Sequence, residues 1–257
     1  MELGICALCE KEKKLVDSHI FPAFMWKSGS KQEPIQEFSL NEKYPKKRLN
    51  GIYQKLLCDT CEKIIGQYEN YGRPFLERVR GITPKEPHTE VFNKFDGVKG
   101  SNNKYNYSKL KLLFLSILWR ASVSSMPQYA QCDLGDFYNS QIRKLLLDNT
   151  PSILSKSTFP IAIRCYNLED SDTSPLHIPP IKVQLKNYHK SCYFFVIHGL
   201  GVHIGVGEFQ DYKNEEFMRG AGFDEEKLIV CYLSVEQDKH LINIYSESAK
   251  KLGLLNI

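Results

Sequence analysis

No stretch of this chain is both long and apolar enough to cross a bilayer. The most apolar run, LKLLFLSILWRASVSS, is interrupted by Lys111 and Arg120 and falls short of the roughly 20 residues that a spanning helix needs. The amino terminus does not read as a secretory signal either, because acidic and basic residues fall within its first fourteen positions. Internal repeats and low-complexity tracts are also lacking. The expectation is a cytoplasmic protein with no membrane partner.

A disulfide framework is missing too, although the chain has 8 cysteines. Cys132, Cys165, Cys192 and Cys231 are scattered singly through apolar segments, where a cysteine serves as a small buried hydrophobe. The other four form two short pairs, Cys6 and Cys9 in GICALCEKEKK and Cys58 and Cys61 in KLLCDTCEKIIGQYE. Each Cys-x-x-Cys knuckle can point two sulfurs at one centre, so two knuckles suit a tetrahedral structural zinc ion. With 257 residues, 42% of them hydrophobic and 25% charged, the chain can bury a sizeable core as one domain or two unequal ones.

The net charge of +4 is small and unevenly placed. Residues 1–104 hold 18 basic and 14 acidic side chains, whereas residues 105–257 balance at 16 of each. Lys43, Lys46, Lys47, Arg48 and Lys55 form a basic stretch with no acid among them. Such a run suits either a solvated loop or contact with phosphates, the sequence-independent part of nucleic-acid affinity.

The pattern along the chain predicts an α+β protein. Residues 1–80 read as a zinc-bound unit: a knuckle, a strand in KLVDSHIF, an irregular segment over 27–50, and a second knuckle opening a helix. That helix is expected from Asp59 to about Tyr71, with Gly72 and Pro74 as stop signals. A knuckle, a hairpin and a helix carrying two ligands in its first turn describe a treble-clef, ββα arrangement. Residues 81–104 read as a linker. Residues 105–257 read as a helical and antiparallel-β C-terminal domain of unassigned role. Its helices lie in SKLKLLFLSILWRASVSS and in DLGDFYNSQIRKLLLDN, with Asp133 as a cap and Asn149–Pro151 as an exit. Strands follow in FPIAIRCYN, IKVQL, SCYFFVIHG, VHIGVGEF and KLIVCYLSV, with a hairpin turn at Gly199-Leu200-Gly201 and a closing helix in IYSESAKKLGLL.

Over residues 5–72, C-x-x-C, then SHIFP, then LLC-x-x-CE resembles the HNH branch of the His-Me finger endonucleases. LSILWRASVSS and LGDFYNSQIRKLLL are more loosely similar to uncharacterised bacterial proteins with this kind of knuckle, some of them suspected defence nucleases. The resemblance implies metal-dependent cleavage of DNA, ahead of RNA, with His19 as the general base. An imidazole suits that role because its unperturbed pKa lies near neutral pH. It also implies a catalytic Mg2+ or Mn2+ held from the helix. Glu62 stands where the family commonly has histidine, and Glu69 lies seven residues on, on the same helix face. Asp17 and Asn50 are lesser candidates. Ser18 occupies a position that is often acidic in the family, and Asp17 alternates to the other strand face.

Other readings compete with these. Glu62 also suits a surface carboxylate at a positive helix start, and Glu69 could simply pair with Arg73. His198 and His203 flank an apolar hairpin and read as core or surface histidines. The whole unit could be a non-catalytic treble-clef adaptor that binds nucleic acid or a partner protein. Under either reading the C-terminal domain is open to a protein partner or a regulatory ligand.

Overall fold

The computed structural model describes residues 3–26, 34–39, 44–80, 88–92, 106–148, 157–166, 176–184, 190–211, 222–223 and 228–233, with single positions at 213, 218, 238 and 243. It is a mixed α/β structure with two sheets and three α-helices among those residues. The expected closing helix, Lys43 and the Asn149–Pro151 exit lie outside them.

The small sheet holds β1 (Leu3–Ile5), β2 (Glu12–His19) and β5 (Tyr53–Cys58) in the order β1-β2-β5, all antiparallel. The large sheet takes β3 (Ile35–Glu37), β4 (Lys46–Arg48), β6 (His88–Phe92), β7 (Ile161–Tyr166), β8 (Leu176–Gln184), β9 (Ser191–Ile197), β10 (Leu200–Val206), β11 (Gly222–Phe223) and β12 (Leu228–Leu233). Its order is β11-β12-β7-β10-β9-β8-β3-β4, with β6 paired to β12. β7 to β10 correspond to the expected strands. The β9–β10 turn falls one residue early, on His198 and Gly199, because both carry positive φ (52° and 75°), as the tight two-residue hairpin turn requires.

Two short strands were not legible in the irregular 27–50 segment. Ile35-Gln36-Glu37 and Lys46-Lys47-Arg48 are too brief to show alternation, and pairing decides them: β3 lies antiparallel to β4 and parallel to β8. Likewise, the stretch expected as a linker contains β6, in register with β12 from His88↔Tyr232 to Phe92↔Leu228.

The first helix, α1 (Asp59–Arg80), runs well past its expected end at Tyr71. Gly72 is not a stop. A Cβ there would stand 2.3 Å from Leu113 Cδ2, so glycine lets α1 lie close against α2 (Tyr107–Val123). Pro74 sits inside the helix, where it removes the donor for the carbonyl of Asn70, an exposed residue that water can reach.

Nearly every residue of α2 from Tyr107 to Ala121 is buried, because the helix packs between α1 and α3 (Gly135–Asp148) and against the large sheet. Asp133 does serve the start of α3, its Oδ1 accepting from Gly135 N at 2.8 Å. One continuous apolar cluster runs from Cys6 and Leu8 through Leu113 and Phe114 to Phe195, Val202 and Tyr232. His198 and His203 are both buried. His203 Nδ1 lies 2.6 Å from Arg164 Nη1, which makes it part of a buried polar cluster with Asp238 and Tyr166. No described helix is long and apolar enough to cross a membrane.

Candidate functional site

Two clusters of chemistry-bearing side chains flank the β2–β5 pair. The first is the cysteine quartet. The ligand atoms of Cys6, Cys9, Cys58 and Cys61 all lie within 4.8 Å of one another, with Cys9 and Cys58 sulfurs 3.9 Å apart. A tetrahedron built on Zn–S bonds of about 2.3 Å has edges of about 3.8 Å, so the four are close enough to hold one metal ion. The backbone shapes the first knuckle: Glu10 N donates to Cys6 O at 2.8 Å, and Glu10 itself takes φ 56° to close the turn. Cys58 N donates to Cys6 Sγ at 3.3 Å and ties the second knuckle to the first.

The thiols respond to this crowding in opposite directions. Burial raises the pKa of Cys6, and burial together with the neighbouring thiols pushes Cys61 up strongly. For Cys58, burial is outweighed by hydrogen bonds from Cys61, Cys6 and Cys9, which bring it down to about 7. Four converging thiols cannot all ionise without a cation among them, and that is the chemistry of a metal site. α3 braces the knuckle from outside: Arg143 donates to Leu8 O and pairs with Glu10, each at 3.0 Å.

The second cluster surrounds His19, at the end of β2. Immediately after it, Ile20 N donates to Ile52 O, and Phe21 and Trp26 turn inward onto the large sheet. Phe21 packs edge-on to His177 and Phe195, and Trp26 packs on His177, with centroids 4.7 to 5.2 Å apart. Burial holds the pKa of His177 at about 3, so this imidazole is neutral; its Nδ1 donates to Val196 O at 3.1 Å. The anchored segment leaves the His19 ring half-buried, tilted against Tyr53 at 5.8 Å. A Cβ on Gly51 would stand 2.6 Å from His19 Cδ2 and 3.1 Å from Nε2, so only glycine fits against that edge of the ring.

Behind His19 lies a polar network. Ser18 is fully buried; its Oγ accepts from Leu57 N at 3.2 Å, and its hydroxyl acts to lower the pKa of the Glu62 carboxylate. Glu62, in the first turn of α1, is not a plain surface carboxylate, and its Oε2 is buried without a hydrogen-bond partner among the described residues. Burial raises its pKa, the Ser18 hydroxyl and Arg120 oppose the rise, Glu69 adds to it, and His19 opposes it. Glu69 does not pair with Arg73, which binds Glu77 at 2.8 Å instead. Its partner is Arg120 Nη2, at 2.8 Å. Arg120 is completely buried in α2; it also donates to the His19 carbonyl, to Ser116 O at 3.2 Å and to Ser116 Oγ at 3.3 Å.

The remaining expected residues separate. Asp17 is exposed and pairs with Lys55 at 3.3 Å, beside a bulge between Val16 and Asp17. Asn50 is exposed in the β4–β5 connection, where it lines an open groove of about 390 Å3 with Lys47, Arg48, Gly51, Tyr53 and Met126. Arg48 is partly committed, since it pairs at 3.1 Å with the buried Glu37. Among the described residues, only the cysteines form a group of three or more donors converging within 4.8 Å; His19, Glu62 and Glu69 do not.

Sequence reasoning missed Arg120, reading it only as an interruption of an apolar run. A charged residue in a helix apolar on every face was the available signal, because a buried charge requires partners. The chain matches no protein-family model, no curated protein and no solved structure.

Proposed function

We propose that the β2–β5–α1 unit is a zinc-stabilised, HNH-like treble clef and that the protein is a metal-dependent endonuclease. The observation carrying this reading is the grouping of His19, Ser18 and Glu62: a half-buried imidazole packed on Gly51 and Tyr53, and a half-buried carboxylate in its electrostatic reach with Oε2 lacking a donor. His19 acts as the general base. It takes a proton from water as the water oxygen bonds to phosphorus, and the strand's own P–O bond breaks with the leaving oxygen taking the electron pair.

Glu62 fits a role as an oxygen ligand for Mg2+ or Mn2+, a type of ion held by one or two carboxylates with water and phosphate completing its shell. When bound, such an ion neutralises the charge that builds on the scissile phosphate. Glu69, already neutralised by Arg120, orients the network and is not a first choice as ligand. The cysteine quartet holds structural zinc, has no open position, and keeps the two strands and the helix in place.

One observation favours the rival reading of a non-catalytic adaptor: the histidine and the two carboxylates do not converge as a three-donor site. Purified protein incubated with supercoiled and single-stranded circular DNA and with RNA separates the two. Cleavage in magnesium or manganese that chelator stops supports the nuclease; binding without cleavage in any metal supports the adaptor.

A further inference from the structure

The groove beside His19 has a composition that the catalytic reading leaves unused. Cations and exposed apolar side chains lie in it and in the chain leading to it. Lys46 and Lys47 are exposed on β4, and Tyr44, Leu49 and Tyr53 are large apolar side chains exposed by 64%, 57% and 53%. Lys47, Leu49 and Tyr53 line the groove directly. The exposed Tyr53 ring and the Lys47 ammonium put an apolar face and a cation on one groove. A strand of unpaired nucleotides supplies what both need, since phosphates meet the ammonium groups and bases stack on the rings.

Tyr53 is the informative member. It is the first residue of β5, paired in register with His19, so the backbone fixes where its ring stands. One part of that ring is tilted at 59° against the imidazole, with centroids 5.8 Å apart, while about half of the side chain remains open to solvent. A base stacked on the open side would place its own backbone beside the imidazole. A base held inside a duplex is stacked on its neighbours and cannot take that position without unpairing.

We infer that the groove binds single-stranded nucleic acid, with Tyr53 stacking one unpaired base so that the adjoining phosphate reaches His19. This deepens the nuclease reading and rests on it for the role of His19. Binding itself does not depend on cleavage. Tyr53 is a positioning residue, and Lys47 supplies phosphate contact.

The test is fluorescence anisotropy on the full chain, with chelator present so that no strand is cut. The probes are a labelled 12-mer of dT, the same length of U, and the dT strand annealed to its complement. The expected result is tighter binding of a single strand than of the duplex. Tyr53→Ala should weaken single-strand binding roughly tenfold or more without changing the salt slope, because stacking releases no counterions. Tyr53→Phe should bind as wild type, and Lys47→Ala should lower the slope of log affinity against log salt by about 1. The dT and U arms tell DNA from RNA. The inference is overturned if the duplex binds as tightly as the single strands, if Tyr53→Ala binds normally, or if neither single strand binds. Because catalysis is not read, failure of the nuclease reading shows separately, as normal single-strand binding with no cleavage when magnesium is restored.

Discussion

The cysteine quartet and the histidine–carboxylate cluster lie against the same pair of strands, yet they are built in different ways. The quartet is assembled from two local knuckles, and its four sulfurs already converge within 4.8 Å. The second cluster takes its parts from β2, from two turns of α1 and from the last turn of α2, and its oxygens and imidazole do not converge. A local device can be complete by itself. A composite one depends on how distant elements pack, and here Arg120 is the hinge of that dependence.

The largest expected effect breaks the local device. Cys58→Ser should cost most of the metal-binding free energy, about 10 kcal/mol or more at neutral pH. Because the knuckle is braced by Arg143 and Tyr68 donates to Leu146 O at 3.0 Å, the loss should spread into α3. Calorimetry should then show a single, strongly lowered transition, and metal analysis should fall from about one zinc per chain to none. A folded, reduced wild-type protein free of zinc would remove the metal site from the account.

A smaller effect tests the composite device. Arg120→Met should destabilise by about 3–5 kcal/mol, since it strands Glu69 and the His19 carbonyl beside an apolar side chain. Adding Glu69→Leu should recover a large part of that loss, which urea midpoints of the single and double variants would measure. Additive losses in the double variant would show that the ion pair is not the interaction at stake.

The smallest effect has the opposite sign. Glu62 has a folded-state pKa above its unfolded value, so the stability tied to it is full in acid and declines as pH rises through the raised pKa. Glu62→Gln should therefore stabilise the protein slightly at pH 7, with the gain vanishing below the usual carboxylate range, as melting temperatures across pH would show. A loss of stability at pH 7 would instead assign Glu62 to favourable charge at a helix start.

The same contrast explains what the sequence disclosed. Paired cysteines, the β9–β10 hairpin and the apolar α2 depend on spacings within a few residues, and each could be read directly. β3 and β4 could not, because three residues carry no period and β8, the strand that ties β3 to the large sheet, lies far along the chain. Gly72 and Pro74 misled because both usually end helices. Here one admits Leu113 and the other sits where its missing donor costs little. Within the site, His19 and Glu62 stood out beside the knuckles, whereas the partnership of Glu69 with Arg120 spans 51 positions and left no local trace.

The most direct measurement compares wild type and His19→Ala in a single-turnover cleavage assay with magnesium or manganese, with zinc content and melting temperature taken on the same samples. The wild type should cleave in a metal-dependent way, and the variant should lose on the order of 100-fold or more with near-normal zinc and melting. A wild type that cuts nothing in any metal, or a variant that loses zinc and fold together, would contradict His19 as the general base.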